Sequence, residues 1–433
     1  MSTEGFQTIW NPAPSGVCGN MGRMTPPSVP FDLNPVSPQN LADPIPFYRE
    51  LQRQAPVYWA EPINTWLVSR HEDVVASFRD PRLSANRTAF FEHQVQSLGP
   101  ASIQDFMKII RNQVFMKDGA EHIRLRRNMN PGFTAQSLDK WRPAIRHTME
   151  QLLERVQARG QMDLVKEISY ELPPLVIAEL LGIPVEDRER FRAWSKPIAD
   201  FSSPAPDADM GVLGKEVNRA MMAFSGYLTR IVEERRSAPG PDVISQMVSA
   251  EEEGKLTTEE VVSNALLLLF AGHTTTTDQF SNCVHALLTS PDQLKALRDN
   301  AGLLGSTIEE SIRFNPAVPF IGRVAVEDFE LRGQTIRKGS HVMFALGAAN
   351  RDPEVFSEPD RFDITRDMTQ TRHVGFGFGP HQCIGSGLAR RELEIALELL
   401  LQRLPGLRLD EEHTPIKHHS LAFRGFSSLH VRW

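Results

Sequence analysis

Residues 376–385 read Phe-Gly-Phe-Gly-Pro-His-Gln-Cys-Ile-Gly, a single cysteine inside a glycine-rich loop directly ahead of a long helical stretch. No other segment narrows the possible architectures so far. Glycines let a backbone fold back over a sulfur and approach a flat ligand closely. The N–H groups of such a loop, with the partial positive charge at the start of the following helix, favour a thiolate over a thiol. The same pattern also suits a buried structural cysteine beside a turn, the commoner fate of a free thiol. Other parts of the chain decide between the two.

The chain has 433 residues and a formal net charge of −7, without a long Lys/Arg block, which argues against a nucleic-acid-binding protein. Three cysteines, Cys18, Cys283 and Cys383, are too few and too dispersed for a disulfide framework or a zinc site, and fit a reducing cytoplasm. Residues 1–20 lack the basic start and apolar run of a signal peptide. The longest apolar stretch, Ala265 to Ala271, falls far short of the roughly 20 residues that cross a bilayer. Residues 1–29 are polar and aperiodic and read as a flexible leader, and no linker or internal repeat interrupts 30–433. A single large domain over 30–433 is expected.

Helical spacing dominates as far as residue 320, with Ile45 to Gln54 and His71 to Phe78 as early helices and Val57–Trp59 with Thr65–Val68 as a short hairpin. From Phe329 to Val342 the chain alternates apolar and polar residues around glycines, which predicts a β-hairpin. Leu421, Phe423, Leu429 and Val431 suggest another small strand pair. The fold class is mainly α with minor β-sheets at one side.

One helix, from about Leu256 to Ser290, is expected to span the molecule at roughly 50 Å. Thr257 and Glu260 have the spacing of a capping box, and Ser290-Pro291 ends it. Its middle is apolar, yet contains Ala271-Gly272-His273-Thr274-Thr275-Thr276-Thr277-Asp278. Glycine and four threonines are poor helix formers, and a local rule broken in mid-core marks either a functional site or hydroxyls bonded to their own backbone.

The cysteine loop, the Ala-Gly-x-x-Thr stretch of the long helix and Glu310-x-x-Arg313 between them, in this order, resemble the cytochromes P-450 of the bacterial type. The resemblance covers nearly all of the chain after residue 30. It implies a fold with the long central helix crossing over haem b (iron protoporphyrin IX), and Cys383 as the axial ligand, whose thiolate donates electron density that favours O–O cleavage. Phe376, Gly377 and Gly385 then belong to the loop against the haem, and Ala271 to the helix above it. Glu310 and Arg313 share a helix face, and by resemblance Arg361 joins them in a charged triad that supports the cysteine loop. His122, Arg126, Arg323 and His381 match the positions that hold the haem propionates. Arg124 and Arg127 are left to solvent or a redox partner.

Thr275 occupies the position of the family's oxygen-handling threonine, which with ordered water helps deliver the protons that oxygen cleavage consumes. The preceding residue, usually Asp or Glu, is Thr274 here. A hydroxyl can only pass a proton along a hydrogen-bonded chain, so water, a substrate hydroxyl or Asp278 at i+4 from Thr274 must supply the acid. The resemblance further implies a monooxygenase placing one atom of O2 into a C–H or C=C bond of a medium-to-large apolar molecule, such as a polyketide or terpenoid. Electrons would come from NAD(P)H through a reductase and a ferredoxin or flavodoxin to a cytoplasmic monomer. Substrate contacts are expected around Phe90 to Ile110, Ile198 to Met210, Ala271, Val318 to Ile321 and Leu421 to Phe423. The alternatives are an enzyme that uses peroxide or needs no oxygen, and a non-catalytic haem sensor.

Overall fold

Thr257 and Glu260 form the expected capping box: the Thr257 hydroxyl accepts from the Glu260 N–H at 3.2 Å, and the Glu260 carboxylate accepts from the Thr257 N–H at 3.0 Å. The helix they start, Thr258–Leu288, runs 31 residues, about 46 Å. This is a computed structural model that describes residues 32–89, 103–202, 208–369, 371–418 and 420–433. The leader 1–29 with Cys18, Phe90, Phe91, residues 203–207 and His419 lie outside the described residues.

The central helix packs against the helices Leu172–Leu180, Met210–Ser237, Leu304–Phe314 and Ser386–Arg403, and one apolar core runs through all of them. Its burial is interrupted once. Residues 260–266 and 276–284 are buried, but Leu267, Phe270, Ala271, Gly272, Thr274 and Thr275 keep accessible surface. The helix stays α-helical through the threonines, with Thr275 Oγ1 donating to the Ala271 carbonyl at 2.9 Å and Thr277 Oγ1 to His273 at 3.1 Å. Cys283 is fully buried packing, and burial pushes its thiol up to about 12.

The largest sheet has five strands in the order Val57–Ala60, Thr65–Val68, His341–Ala345, Phe320–Ala325 and Leu83–Ser84. Only Thr65–Val68 and His341–Ala345 run parallel. The alternation from Phe329 to Val342 therefore divides between two sheets. Phe329–Leu331 and Gln334–Ile336 form the expected hairpin, while His341 onward enters the five-stranded sheet. At the C-terminus, Phe426–Ser428 pairs with Ile416–Lys417, and His430–Arg432 lies between Gln161–Asp163 and Arg408–Leu409. Among the described residues, no helix is long and apolar enough to cross a membrane.

Candidate active site

Gly377 and Gly379 adopt φ of +69° and +72°, which only glycine accepts without strain, and they turn the loop back on itself. The Cys383 N–H donates to the Phe376 carbonyl at 2.9 Å, closing the turn around the sulfur. Cys383 is exposed by area yet surrounded by protein, so its sulfur faces an interior space. Burial pushes the thiol up, while the N–H groups of Gly385 and Ser386 and the charges of Arg126 and Arg390 pull it down. The Phe376 ring lies under the Arg390 guanidinium, 4.6 Å from its centroid.

Beside the loop the structure brings together the residues assigned to the propionates. The rings of His122 and His381 lie 3.9 Å apart, and Asp118 faces His381 at 3.7 Å. Burial, with the neighbouring His381 and Arg126, holds His122 down at about 4, and burial also lowers His381, so both imidazoles are neutral near pH 7. Arg323 is 4% exposed, and burial lowers it to about 10. Arg87, absent from the sequence reading, joins them. It lies over Phe115, its Nε has no partner among the described residues, and burial with the nearby Arg323 lowers it to about 9.

Among the described residues, Arg87 and Arg323 thus share one carboxylate, Asp118, and Arg126 faces the Cys383 sulfur, so the three arginines outnumber the carboxylates by two. Isolated buried charge is costly, so such a cluster calls for anions. Two propionates match that deficit in number and chemistry, and a deeply set accessible sulfur matches an iron ligand. The residues present therefore fit haem. The only signal for Arg87 in the sequence is a lone Arg after Leu83–Ser84, which carries no periodicity or motif.

The charged support of the loop differs from expectation at one residue. Glu310 and Arg313 are both fully buried and joined by two hydrogen bonds of 2.7 and 2.8 Å. Arg313 also donates to the carbonyls of Asn350, Pro359 and Arg361. The third side chain is Arg366, whose Nε lies 3.2 Å from Glu310. Arg361 contributes only its carbonyl, and its guanidinium reaches out to Glu358 on the surface. Glu309, next to Glu310 in sequence but on another face, pairs with Arg390 and His373 and so clamps both flanks of the cysteine loop. Arg124 is likewise corrected: it is not free but bonds Glu260 bidentately and closes the cap of the central helix.

Thr275 lies on the accessible stretch of the central helix with Ala271, as the sequence implied. Asp278 does not bond Thr274. Its carboxylate lies against Gly425, where any side chain would collide with it, and pairs with His418 at 3.2 Å. His418 had no role in the sequence reading, because nothing in the spacing links positions 140 residues apart.

The cytochrome P450 family model matches residues 97–423. Cytochrome P450 CYP107DY1 of Priestia megaterium is 37% identical over 409 residues, covering 91% of this chain and 97% of the relative. Mycinamicin IV hydroxylase/epoxidase of Micromonospora griseorubida is 37% identical over 401 residues, with coverage of 89% and 94%. The crystal structure of P450BioI with an acyl carrier protein superposes with a TM-score of 0.83 at 33% identity, covering 91% of this chain and 99% of that one. With the cysteine loop, the propionate cradle and the central helix in place, the chain belongs to the cytochrome P450 family, the haem-dependent oxidoreductases that incorporate oxygen from O2.

Proposed function

We propose that the protein hydroxylates or epoxidises a medium-to-large apolar secondary metabolite, with electrons passed from NAD(P)H by a separate ferredoxin and its reductase. The observation that carries this reading is the accessible Cys383 sulfur beside Arg87, Arg126 and Arg323, which have one carboxylate, Asp118, near them among the described residues. Haem bound there supplies the oxygen activation, with Cys383 as the ligand to iron and Arg87, Arg126, Arg323, His122 and His381 holding its carboxylates. The chain's own part is to hold the thiolate, exclude water and move protons. Overall, substrate, O2, NAD(P)H and one proton give oxidised substrate, NAD(P)+ and water.

The accessible part of the central helix, Leu267, Phe270 and Ala271, presents an apolar surface, and Val318, Ile321, Ala422 and Phe423 also keep accessible area. Phe106 and Phe201 meet edge to face with centroids 5.3 Å apart. These side chains suit an extended apolar substrate. Relatives point the same way: one is named a mycinamicin IV hydroxylase/epoxidase, and solved structures hold epothilone D, testosterone and myristic acid.

The test is spectral and then catalytic. Reduced protein under carbon monoxide is expected to show the red-shifted Soret band of a thiolate ligand, and Cys383→Ser to lose it together with turnover. Retention of band and turnover in the serine variant overturns the assignment. Because Thr274 stands where an acid is usual, turnover is also compared with hydrogen peroxide alone. Product formed equally well without reductant would assign a peroxide-using enzyme.

A further inference from the structure

We propose that His418 and Asp278 form a proton inlet to Thr275: the half-exposed imidazole takes protons from solvent, and the buried carboxyl passes them to the threonine pair. The proposal rests on the monooxygenase reading, which needs two protons and two electrons for each O2 consumed.

Asp278 is 1% exposed, whereas the His418 side chain is 38% exposed, so the pair joins the interior of the central helix to water. His418 Nε2 lies 3.2 Å from Asp278 Oδ1. Asp278 Oδ2 is buried and has no partner among the described residues. An unsatisfied buried carboxylate oxygen is costly, and its persistence calls for a role. Asp278 stands three residues after Thr275 and four after Thr274, the spacings that place side chains as neighbours on one helix side. The relay requires a water between Oδ2 and the Thr274 hydroxyl, which stands one helical turn back.

The surroundings are arranged for this contact. The His418 N–H is held by the Gly425 carbonyl at 3.0 Å. Gly425 itself leaves the carboxylate room against the backbone. Burial raises Asp278, and the hydrogen bond that His418 donates to Asp278 raises His418. Among the described residues, no other charged group acts on either. Arg424, on the same hairpin, acts on Lys417, and Lys417 acts on His285.

Nδ1 of His418 takes a proton from solvent hydronium as Nε2–H gives its proton to Oδ1 and Oδ2–H releases one toward Thr274 and Thr275; an imidazole tautomer shift and a turn of the carboxyl then restore the starting pair. His418 and Asp278 are relay residues; neither touches substrate.

The test compares wild-type haem-loaded protein with His418→Gln and Asp278→Asn. Glutamine keeps an N–H for Asp278 but cannot carry a proton from one side to the other. In the resting protein, NMR titration of His418 is expected above the ordinary histidine range, returning to it in Asp278→Asn. Product per NAD(P)H is expected to fall about tenfold in both variants, with matching peroxide release and an altered solvent isotope effect. Thr274→Glu, placing an acid directly before Thr275, is expected to restore the yield of His418→Gln. An unshifted His418, or wild-type yield in His418→Gln, overturns the relay. A yield that Thr274→Glu leaves low also overturns it and assigns the pair to anchoring the 418–425 turn. Wild-type protein that makes no product with reductant instead sinks the monooxygenase reading itself, and the relay with it.

Discussion

At residue scale, the charged support of the cysteine loop separates what spacing can tell from what it cannot. Glu310 and Arg313 are read directly from sequence, since i and i+3 on a helix must meet. Their third partner is not. Arg361 and Arg366 lie five apart in one irregular segment, and only the path of that loop decides which guanidinium turns inward. Burial predicts a clear contrast between them. Arg361→Ala removes one exposed pair with Glu358 and is expected to change stability by no more than about 0.5 kcal/mol. Arg366→Ala leaves part of the buried Glu310 charge uncompensated and takes a donor from the carbonyls of Ser357 and Glu358, at a cost of about 2–3 kcal/mol. Urea unfolding of the two haem-loaded variants measures the difference, and equal midpoints would return the third place to Arg361.

At the scale of elements, the helices were legible and the sheet partners were not. The 10-residue helix Ile45–Gln54 and the capping box at Thr257 follow from periodicity and cap chemistry, which are local. Alternation from Phe329 to Val342 marked strands correctly, but alternation is silent on which strand lies alongside, so the entry of His341–Ala345 into the five-stranded sheet was hidden. His341, at the head of that strand, is buried and offers a measurable consequence. Thr65 Oγ1 donates to the Ile63 carbonyl and therefore accepts from His341 Nδ1–H at 3.1 Å, leaving the imidazole neutral. Burial, with the nearby Arg87, lowers its pKa from 6.5 to about 3. The unfolded chain then binds the proton that the folded chain refuses, so this stability is complete above 6.5 and lost as pH falls toward 3. At pH 5 the loss is about 2 kcal/mol. His341→Gln is expected to flatten the decline of the urea midpoint between pH 7.5 and 5, leaving the shares of His122 and His285, both held down at about 4. An unchanged decline would show that His341 is protonated in the fold.

At the scale of the whole molecule, the family was legible because three motifs, far apart in sequence, each need the same cofactor, whereas its charge landscape was not, because that depends on which cations are already spoken for. The chain carries a net charge of −7, yet cations gather near the cysteine loop. Of the arginines near the cysteine loop, Arg124 is tied to Glu260 and Arg390 to Glu309, which removes most of their field. Arg127 is exposed and has no ion pair among the described residues. Arg79 is exposed as well and lies over the Phe378 ring of the cysteine loop at 4.6 Å, again without a carboxylate among the described residues. On the proposed reading, an acidic ferredoxin docking on this face would be steered by Arg79 and Arg127 rather than by the paired arginines. Arg79→Glu and Arg127→Glu are each expected to slow the first reduction by reduced ferredoxin about tenfold at low ionic strength. The deficit should vanish in about 1 M salt, where the screening length falls to roughly 3 Å. Charge reversal at Arg390 is expected to loosen the loop through Glu309 and shift the haem spectrum, a change that salt does not correct. Stopped-flow reduction across a salt series separates the two behaviours, and rates indifferent to both charge reversal and salt would remove electrostatic docking from this face.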